Sequence, residues 1–204
     1  MSLDLLLALL GFAFVTSATP GPNTMLLLAS GVNFGVRRSV PHMAGVIVGF
    51  GIMLAAVGAG LGALFAQLPG VHLALQVASI AYMLWLAWRL ATTRTLEGAE
   101  GSGRPMTFLE GAAFQWINPK AWAIALAGVA TYTEPTRPVL SLAIFVLVFV
   151  AINPPIVLAW TAFGVALREV LQEPRILRTF NIAMALLLVA SLWPGVRHWI
   201  GAGT

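Results

Sequence analysis

Two short polar interruptions lie inside long apolar runs, and both combine proline with residues able to bind a small solute. The first is Thr19-Pro20-Gly21-Pro22-Asn23, and the second is Asn118-Pro119-Lys120. Proline removes a backbone donor and clashes with the preceding helical turn, yet it suits the first position of a new helix. Each interruption therefore predicts a half-helix that begins within an apolar segment, with Thr19 and Asn118 as its capping residues.

The chemistry that these half-helix starts predict is the binding of an anionic group. The first N–H groups of a helix have no intrahelical partner, and the macrodipole adds the equivalent of about half a positive charge. A carboxylate is a suitable ligand for such a terminus. Gly21, which has no side chain, would let a solute approach the backbone closely.

Lys120 is the only lysine of the chain, and it lies inside an apolar segment. An ionisable residue at the membrane centre costs at least ~2.5 kcal/mol, so it is a functional candidate. Three roles stay open: a direct partner of a substrate carboxylate, a proton-titrating switch, and a cap for the carbonyls of the broken helix.

Amide side chains occur beside the breaks and favour a shared polar cavity, although hydrogen bonding between helices is the alternative for each. Asn153 precedes Pro154-Pro155, which predicts a third disruption of a helix. The predicted substrate-binding residues are Thr19, Pro20, Gly21, Pro22, Asn23, Gln115, Asn118, Pro119, Lys120 and Asn153.

Proton coupling has no obvious carrier in the sequence. The seven acidic residues all fall at or near the ends of apolar segments, so no carboxylate relay stands out. His42 titrates in a useful range, but its place at a helix entrance is more typical of an interfacial residue. The chain has no cysteine, which excludes disulfides and thiolate metal sites.

Composition identifies the class of protein that these motifs belong to. The chain is 59% hydrophobic and 9% charged, with a mean hydropathy of +0.91, whereas soluble domains are about a quarter charged. This predicts an integral membrane protein embedded in a lipid bilayer. Because a span needs about twenty apolar residues, we predict six spans, at roughly 5–32, 39–66, 71–92, 108–132, 138–167 and 177–199.

Proline spacing indicates an internal repeat. Pro22 and Pro119 are 97 residues apart, and so are Pro41 and Pro138. With three spans in each half, the second half enters the membrane the opposite way up. The predicted fold is therefore an all-α integral membrane protein with six transmembrane helices in two inverted three-helix repeats, of which helices one and four are broken. It is a single domain, with repeats at about 1–95 and 107–204 and a polar linker at about 93–106.

Arginines set the predicted orientation, which explains the net charge of +4 without nucleic acid. One side holds eight of them and the other only Arg137 and Arg197, so both termini are predicted to be periplasmic. The eight are Arg37, Arg38, Arg89, Arg94, Arg104, Arg168, Arg175 and Arg178.

Gly45 and Gly49 let helix backbones approach, either within the bundle or in a homodimer.

The chain resembles the LysE/RhtB family of bacterial amino-acid exporters. The resemblance rests on both proline motifs, a Gly35-x-Arg37 turn and Gly45-x-x-x-Gly49, and it covers nearly the whole length. It implies a secondary transporter without a cofactor that moves amino acids or close derivatives out across the inner membrane, driven by the proton motive force. Gln115-Trp116 departs from the usual aliphatic residues, and Trp116 is expected to narrow the pocket.

Cargo and alternatives follow from the charges. A dibasic amino acid would need a carboxylate for its side chain, so the absence of acids along the predicted pathway favours a neutral or small polar amino acid. Efflux of a divalent metal is the nearest alternative, but the chain has few suitable ligands. A membrane-embedded enzyme is a more distant alternative, because no nucleophile-and-base arrangement or metal motif is present.

Overall fold

The computed structural model describes residues 1–63, 67, 69–92 and 104–190, and these residues are mostly helical, without a strand. The predicted all-α class is confirmed. A π-helical segment, Val57–Leu61, follows α2, and a 3₁₀ turn, Val170–Gln172, precedes α7. The α-helices are α1 (Leu3–Ala18), α2 (Pro22–Ala56), α3 (Pro69–Thr92), α4 (Phe108–Ile117), α5 (Pro119–Tyr132), α6 (Pro138–Leu167) and α7 (Pro174–Ala190).

Two helical stretches of the described residues have the length and hydropathy to cross a membrane, Pro22–Leu61 and Pro138–Leu167. Helix α1 is apolar but shorter. Most of the predicted linker and the end of the predicted sixth span lie outside the described residues. The count of six spans therefore stays a prediction.

Helix α2 turns back on itself at Gly35, which has a φ of 76° and a ψ of 170°. The hydroxyl oxygens of Ser30 and Ser39 are 2.7 Å apart, although nine residues of straight helix extend for about 13 Å. Glycine adopts this positive φ without the strain that a side chain would add. The predicted turn at Gly35 is thus present, and it divides α2 into an antiparallel pair, α2a (22–34) and α2b (36–56).

Both predicted helix breaks are present. Helix α1 ends at Ala18 and α2 begins at Pro22, while α4 ends at Ile117 and α5 begins directly afterwards at Pro119.

Helices α1 and α5 run antiparallel, which places the two breaks side by side. The hydroxyl of Tyr132, at the end of α5, donates to the carbonyl of Ala8 at 3.4 Å. At the other end of the pair, Lys120 contacts Thr19.

The predicted arginine-bearing connections gather at one end of the molecule, which we call the arginine end. Val32, near the Gly35 turn, packs with Leu171 and Leu177 in one buried cluster, and Gly45 lies against the start of α4 at Phe108. The arginines carried by these connections are Arg37, Arg38, Arg104, Arg168, Arg175 and Arg178. At the opposite end, the amino terminus of Met1 is 3.3 Å from Glu134.

Three sequence-based expectations about the helices are wrong. Pro154 and Pro155 do not disrupt α6, which is continuous from Pro138 to Leu167. Trp116 does not narrow the pocket, because it packs beside Trp122, whose indole N–H donates to its carbonyl at 2.8 Å. His42 is not interfacial, since only 1% of its surface is exposed.

Candidate functional site

The first break has a local structure built around Gly21, which caps α2. Its N–H donates to Thr24 Oγ1 at 2.8 Å, and that hydroxyl also lies 2.9 Å from the Gly21 carbonyl. The prediction that Thr19 caps the second helix is wrong. Its hydroxyl instead donates to the carbonyl of Val15 at 2.5 Å and closes the end of α1, because a threonine hydroxyl can bond back to its own helix as readily as forward.

The second break is capped by Asn118, as the sequence predicts. Its Oδ1 accepts the backbone N–H of Lys120 at 3.1 Å. The two half-helix starts are therefore unequal. Helix α5 has a side-chain cap on its first turn, whereas no side chain in the described part of the chain caps the first N–H groups of α2. An external anion would find free backbone donors more readily at α2.

Lys120 crosses from the start of α5 to the break between α1 and α2. Its Nζ donates to the carbonyl of Thr19 at 2.6 Å, so the capping role among the three predicted for it is present, at the end of α1. A Cβ at Gly21 would lie 2.7 Å from Lys120 Cδ and 3.1 Å from Nζ, so a side chain there would displace the lysine. An ammonium group has three N–H donors, so two remain for a ligand.

A cavity of about 50 Å³ lies between the two breaks. Five of the predicted residues line it: Gly21, Asn23, Asn118, Lys120 and Asn153. Its other lining residues are the polar Thr16, Ser17 and Thr24, which the sequence analysis missed, and the apolar Leu27, Val46, Phe50, Ala121, Ile124 and Val157. The missed polar residues could have been found from their position, because they occupy the helical turns that flank the first break.

The size of this cavity suits a few water molecules, whereas pockets for small molecules usually measure about 300 Å³ or more. The cavity is therefore too small for a larger solute unless the surrounding helices move apart, and we call this arrangement the closed form.

Asn153 forms the third polar wall of the cavity. It lies on α6 and is 7% exposed, and its amide makes no hydrogen bond within the described residues. Such a group is expected to bind water in the closed form and is available to a polar ligand.

Gln115 and Asn23 bind each other instead of both facing the cavity. Asn23 Nδ2 donates to Gln115 Oε1 at 2.8 Å, and Gln115 Nε2 donates back to Asn23 Oδ1 at 3.1 Å. Gln115 also donates to the carbonyl of Gly111 at 2.9 Å and is fully buried. For this pair, hydrogen bonding between helices is the observed arrangement. It joins the start of α2 to the last turn of α4.

The remaining predicted residues shape the backbone. Pro20, Pro22 and Pro119 form the breaks but do not line the cavity, and Thr19 contributes its carbonyl to Lys120. The described residues contain no group of three or more His, Cys, Asp or Glu side chains placed to hold a metal ion. Among the described residues, Lys120 is the one ionisable side chain that lines the cavity, so the site has a positive character.

Comparison with known proteins agrees with these features. The model of the LysE type translocator family matches residues 14–191. A cysteine/O-acetylserine efflux protein of Escherichia coli (strain K12) is 32% identical over 191 residues, which cover 93% of this chain and 96% of that protein. Proteins of the same name from Shigella sonnei (strain Ss046) and Escherichia coli O9:H4 (strain HS) match to the same extent. No solved structure is significantly similar.

Proposed function

The chain belongs to the LysE type translocator family, and from this premise we propose that it exports a small amino acid with an uncharged side chain, or a close derivative. Proteins of this family are membrane transporters of amino acids and not enzymes. The names of the similar proteins given above include cysteine and O-acetylserine. These two solutes are the first cargoes to test.

The observation that carries the proposal is the position of Lys120 at the uncapped start of α2. Its ammonium group reaches across the break to the carbonyl of Thr19, where the backbone N–H groups of α2 begin. A substrate carboxylate placed there would accept charge-assisted hydrogen bonds, which contribute about 1.5–3 kcal/mol each. The start of α5 contributes less, because Asn118 already caps it.

The other walls of the cavity fit the rest of an amino acid. Asn153 offers an amide oxygen to the α-ammonium group, and Thr16 and Ser17 offer hydroxyls on the facing helix. No carboxylate lines the cavity in the described residues, so a cationic side chain would be unpaired there. Phe50, Val157 and the other apolar lining residues suit a short apolar or thiol side chain. The positive charge of Lys120 opposes the alternative of a divalent metal cargo.

Topology and energy source belong to the same proposal. The antiparallel course of the two broken helices supports the predicted inverted repeat, with the site at the midplane. The gathering of arginines at one end supports a cytoplasmic position for that end, with both termini periplasmic. We propose export across the inner membrane by antiport with protons.

Uptake into inside-out proteoliposomes tests this function directly. Labelled cysteine and O-acetylserine should accumulate when the lumen is acidic, while lysine and Co²⁺ should not exceed empty liposomes. Transport of lysine or Co²⁺ alone would contradict the proposed cargo class.

Lys120→Ala tests the site itself. Removing the ammonium group should lower the rate of cysteine transport about tenfold or more, with normal yield of folded protein. Arg137→Ala is the matched control, because it removes an exposed cation at the start of α6, far from the cavity. An unchanged rate in Lys120→Ala would refute the carboxylate site. Loss of folded protein would instead favour a role limited to capping α1.

A further inference from the structure

We propose that His42 is the proton-binding switch of the arginine end: it is neutral while α4 rests on α2b, and it takes up a proton when these helices separate. This inference rests on the proposed export function. It assigns proton sensitivity to a residue outside the substrate cavity.

His42 is buried and lacks hydrogen bonds. It is 1% exposed, and neither ring nitrogen has a partner within the described residues. Its ring lies against α4 at Gly111, where an added Cβ would be 3.3 Å from His42 Cδ2 and 2.9 Å from its carbonyl oxygen. A neutral imidazole can remain in such a place, but an imidazolium with two unpaired N–H donors is strongly disfavoured.

The contact between α2b and α4, which buries His42, is tight, and α4 is short. A side chain at Gly45 or Gly49 would collide with the backbone of Phe108 or Ala112, so α2b and α4 touch backbone to backbone. Helix α4 has only ten residues, and non-helical residues bound it at both ends, Thr107 and Asn118. It can therefore move as a short rigid rod.

The Asn23–Gln115 pair holds the inner end of this rod closed. It joins the last turn of α4 to the start of α2 at the edge of the cavity. Cargo that enters from the arginine end must part these two amides. The same movement lifts Gly111 away from His42 and lets water reach the ring.

The charges around His42 are few. Glu110 on α4 is close enough to interact with it electrostatically, but that carboxylate is paired with Arg104 at 2.7 Å. On its own helix, Arg37 and Arg38 are exposed at the preceding turn. The neighbouring α2a and α6 contain no titratable side chain at all. Hydration of the seam therefore dominates the balance between the neutral and the charged ring.

Protonation of His42 and opening of the seam are therefore linked. A proton on His42 stabilises the form in which the arginine end is open, and loss of that proton lets α4 close again over bound cargo.

Distances between spin labels test the switch. The chain has no native cysteine, so Val40→Cys with Leu109→Cys places one label on α2b and one on α4, at side chains that are 50% and 75% exposed. The label distance should lengthen between about pH 8 and about pH 5.5, which bracket the usual histidine titration. The same pair with His42→Gln should show the short distance at both values. A shift that persists with His42→Gln, or no shift in the parent, would overturn the proposal.

Transport separates a failure of this inference from a failure of the proposed function. In the parent, exchange of labelled for unlabelled cysteine should be about threefold or more faster with about pH 5.5 than with about pH 8 at the arginine end, whereas His42→Gln should exchange at the same rate at both values. His72→Gln, on α3, is the matched control. An equal pH dependence in parent and His42→Gln would refute the switch, and absence of exchange in the parent would refute the proposed function.

Discussion

The two ends of the helix bundle are packed by different means. At the arginine end, glycines bring backbones together: Gly31 lies against Thr161, and Gly45 against Phe108. At the opposite end, large rings fill the space between helices. Phe145 and Phe149 have ring centroids 5.2 Å apart, and Phe50 lies 5.5 Å from Phe149.

This difference indicates how each end can move. Backbone contacts at a glycine seam either fit or collide, so such a seam opens by separation of whole helices. Aromatic side chains can change rotamer and adapt without large backbone shifts. The closed form is therefore held most specifically at the arginine end, where the proposed switch and the amide pair also lie.

The largest effect is expected from adding one methyl group at the seam. Gly45→Ala places a Cβ against the carbonyl of Phe108 and should lower the free energy of unfolding by about 2 kcal/mol or more. Gly62→Ala is the control, because its Cβ would meet side chains rather than backbone, with Leu126 Cδ2 at 2.9 Å and Val57 Cγ1 at 3.4 Å. Helix propensity should make that change neutral or favourable. Unfolding in mixed detergent micelles measures the free energy of both variants. Equal losses of unfolding free energy would remove the distinction between the two ends.

A smaller effect is expected at the amide pair that ends the seam. A double-mutant cycle with Asn23→Ala and Gln115→Ala should give a coupling energy of about 1–2 kcal/mol, since two reciprocal hydrogen bonds join the side chains. The free energies of unfolding for the cycle are measured in the same mixed detergent micelles. Additive effects of the two substitutions would show that the pair does not hold α4 to α2.

At the aromatic end, Phe145→Leu should cost about 1 kcal/mol, because it keeps most of the buried volume but loses the ring contacts with Phe149 and Tyr132. Cysteine transport should stay within about twofold of the parent if that end adapts by side-chain movement. A loss of unfolding free energy as large as that of Gly45→Ala would mean that both ends are equally intolerant.

The smallest effect is expected for an exposed ion pair at the arginine end. Arg104→Ala removes the ion pair between Arg104 and Glu110. The side chains of these two residues are 62% and 42% exposed, respectively. Loss of this ion pair should change the free energy of unfolding less than any of the destabilising substitutions above, and less still in high salt. A larger loss would show that surface charge, as well as the glycine seam, holds this end together.

The sequence predicts much of the site because proline and glycine act locally. Pro22, Pro119 and Gly35 fix where helices start or turn, and the structure has all three features. Asn118 is recognised as a cap because it directly precedes a proline. Such residues determine backbone shape with little influence from the rest of the fold.

The errors concern contacts between distant segments. Thr19 satisfies both capping patterns locally, and only the packing of Lys120 against its carbonyl distinguishes them. Pro154 remains in a helix because the surrounding bundle can support it. The burial of His42 depends on Gly111, about seventy residues away in the sequence. The pairing of Asn23 with Gln115 is equally non-local.

The bond between Lys120 and the Thr19 carbonyl has a practical consequence for the study of occupancy. The chain carries a single side-chain amine, and that amine lies on the wall of the cavity. Its rate of acylation by a small reagent would report whether the cavity is accessible, closed or filled with cargo. The protein thus contains a natural chemical probe at its centre, which needs no engineered label.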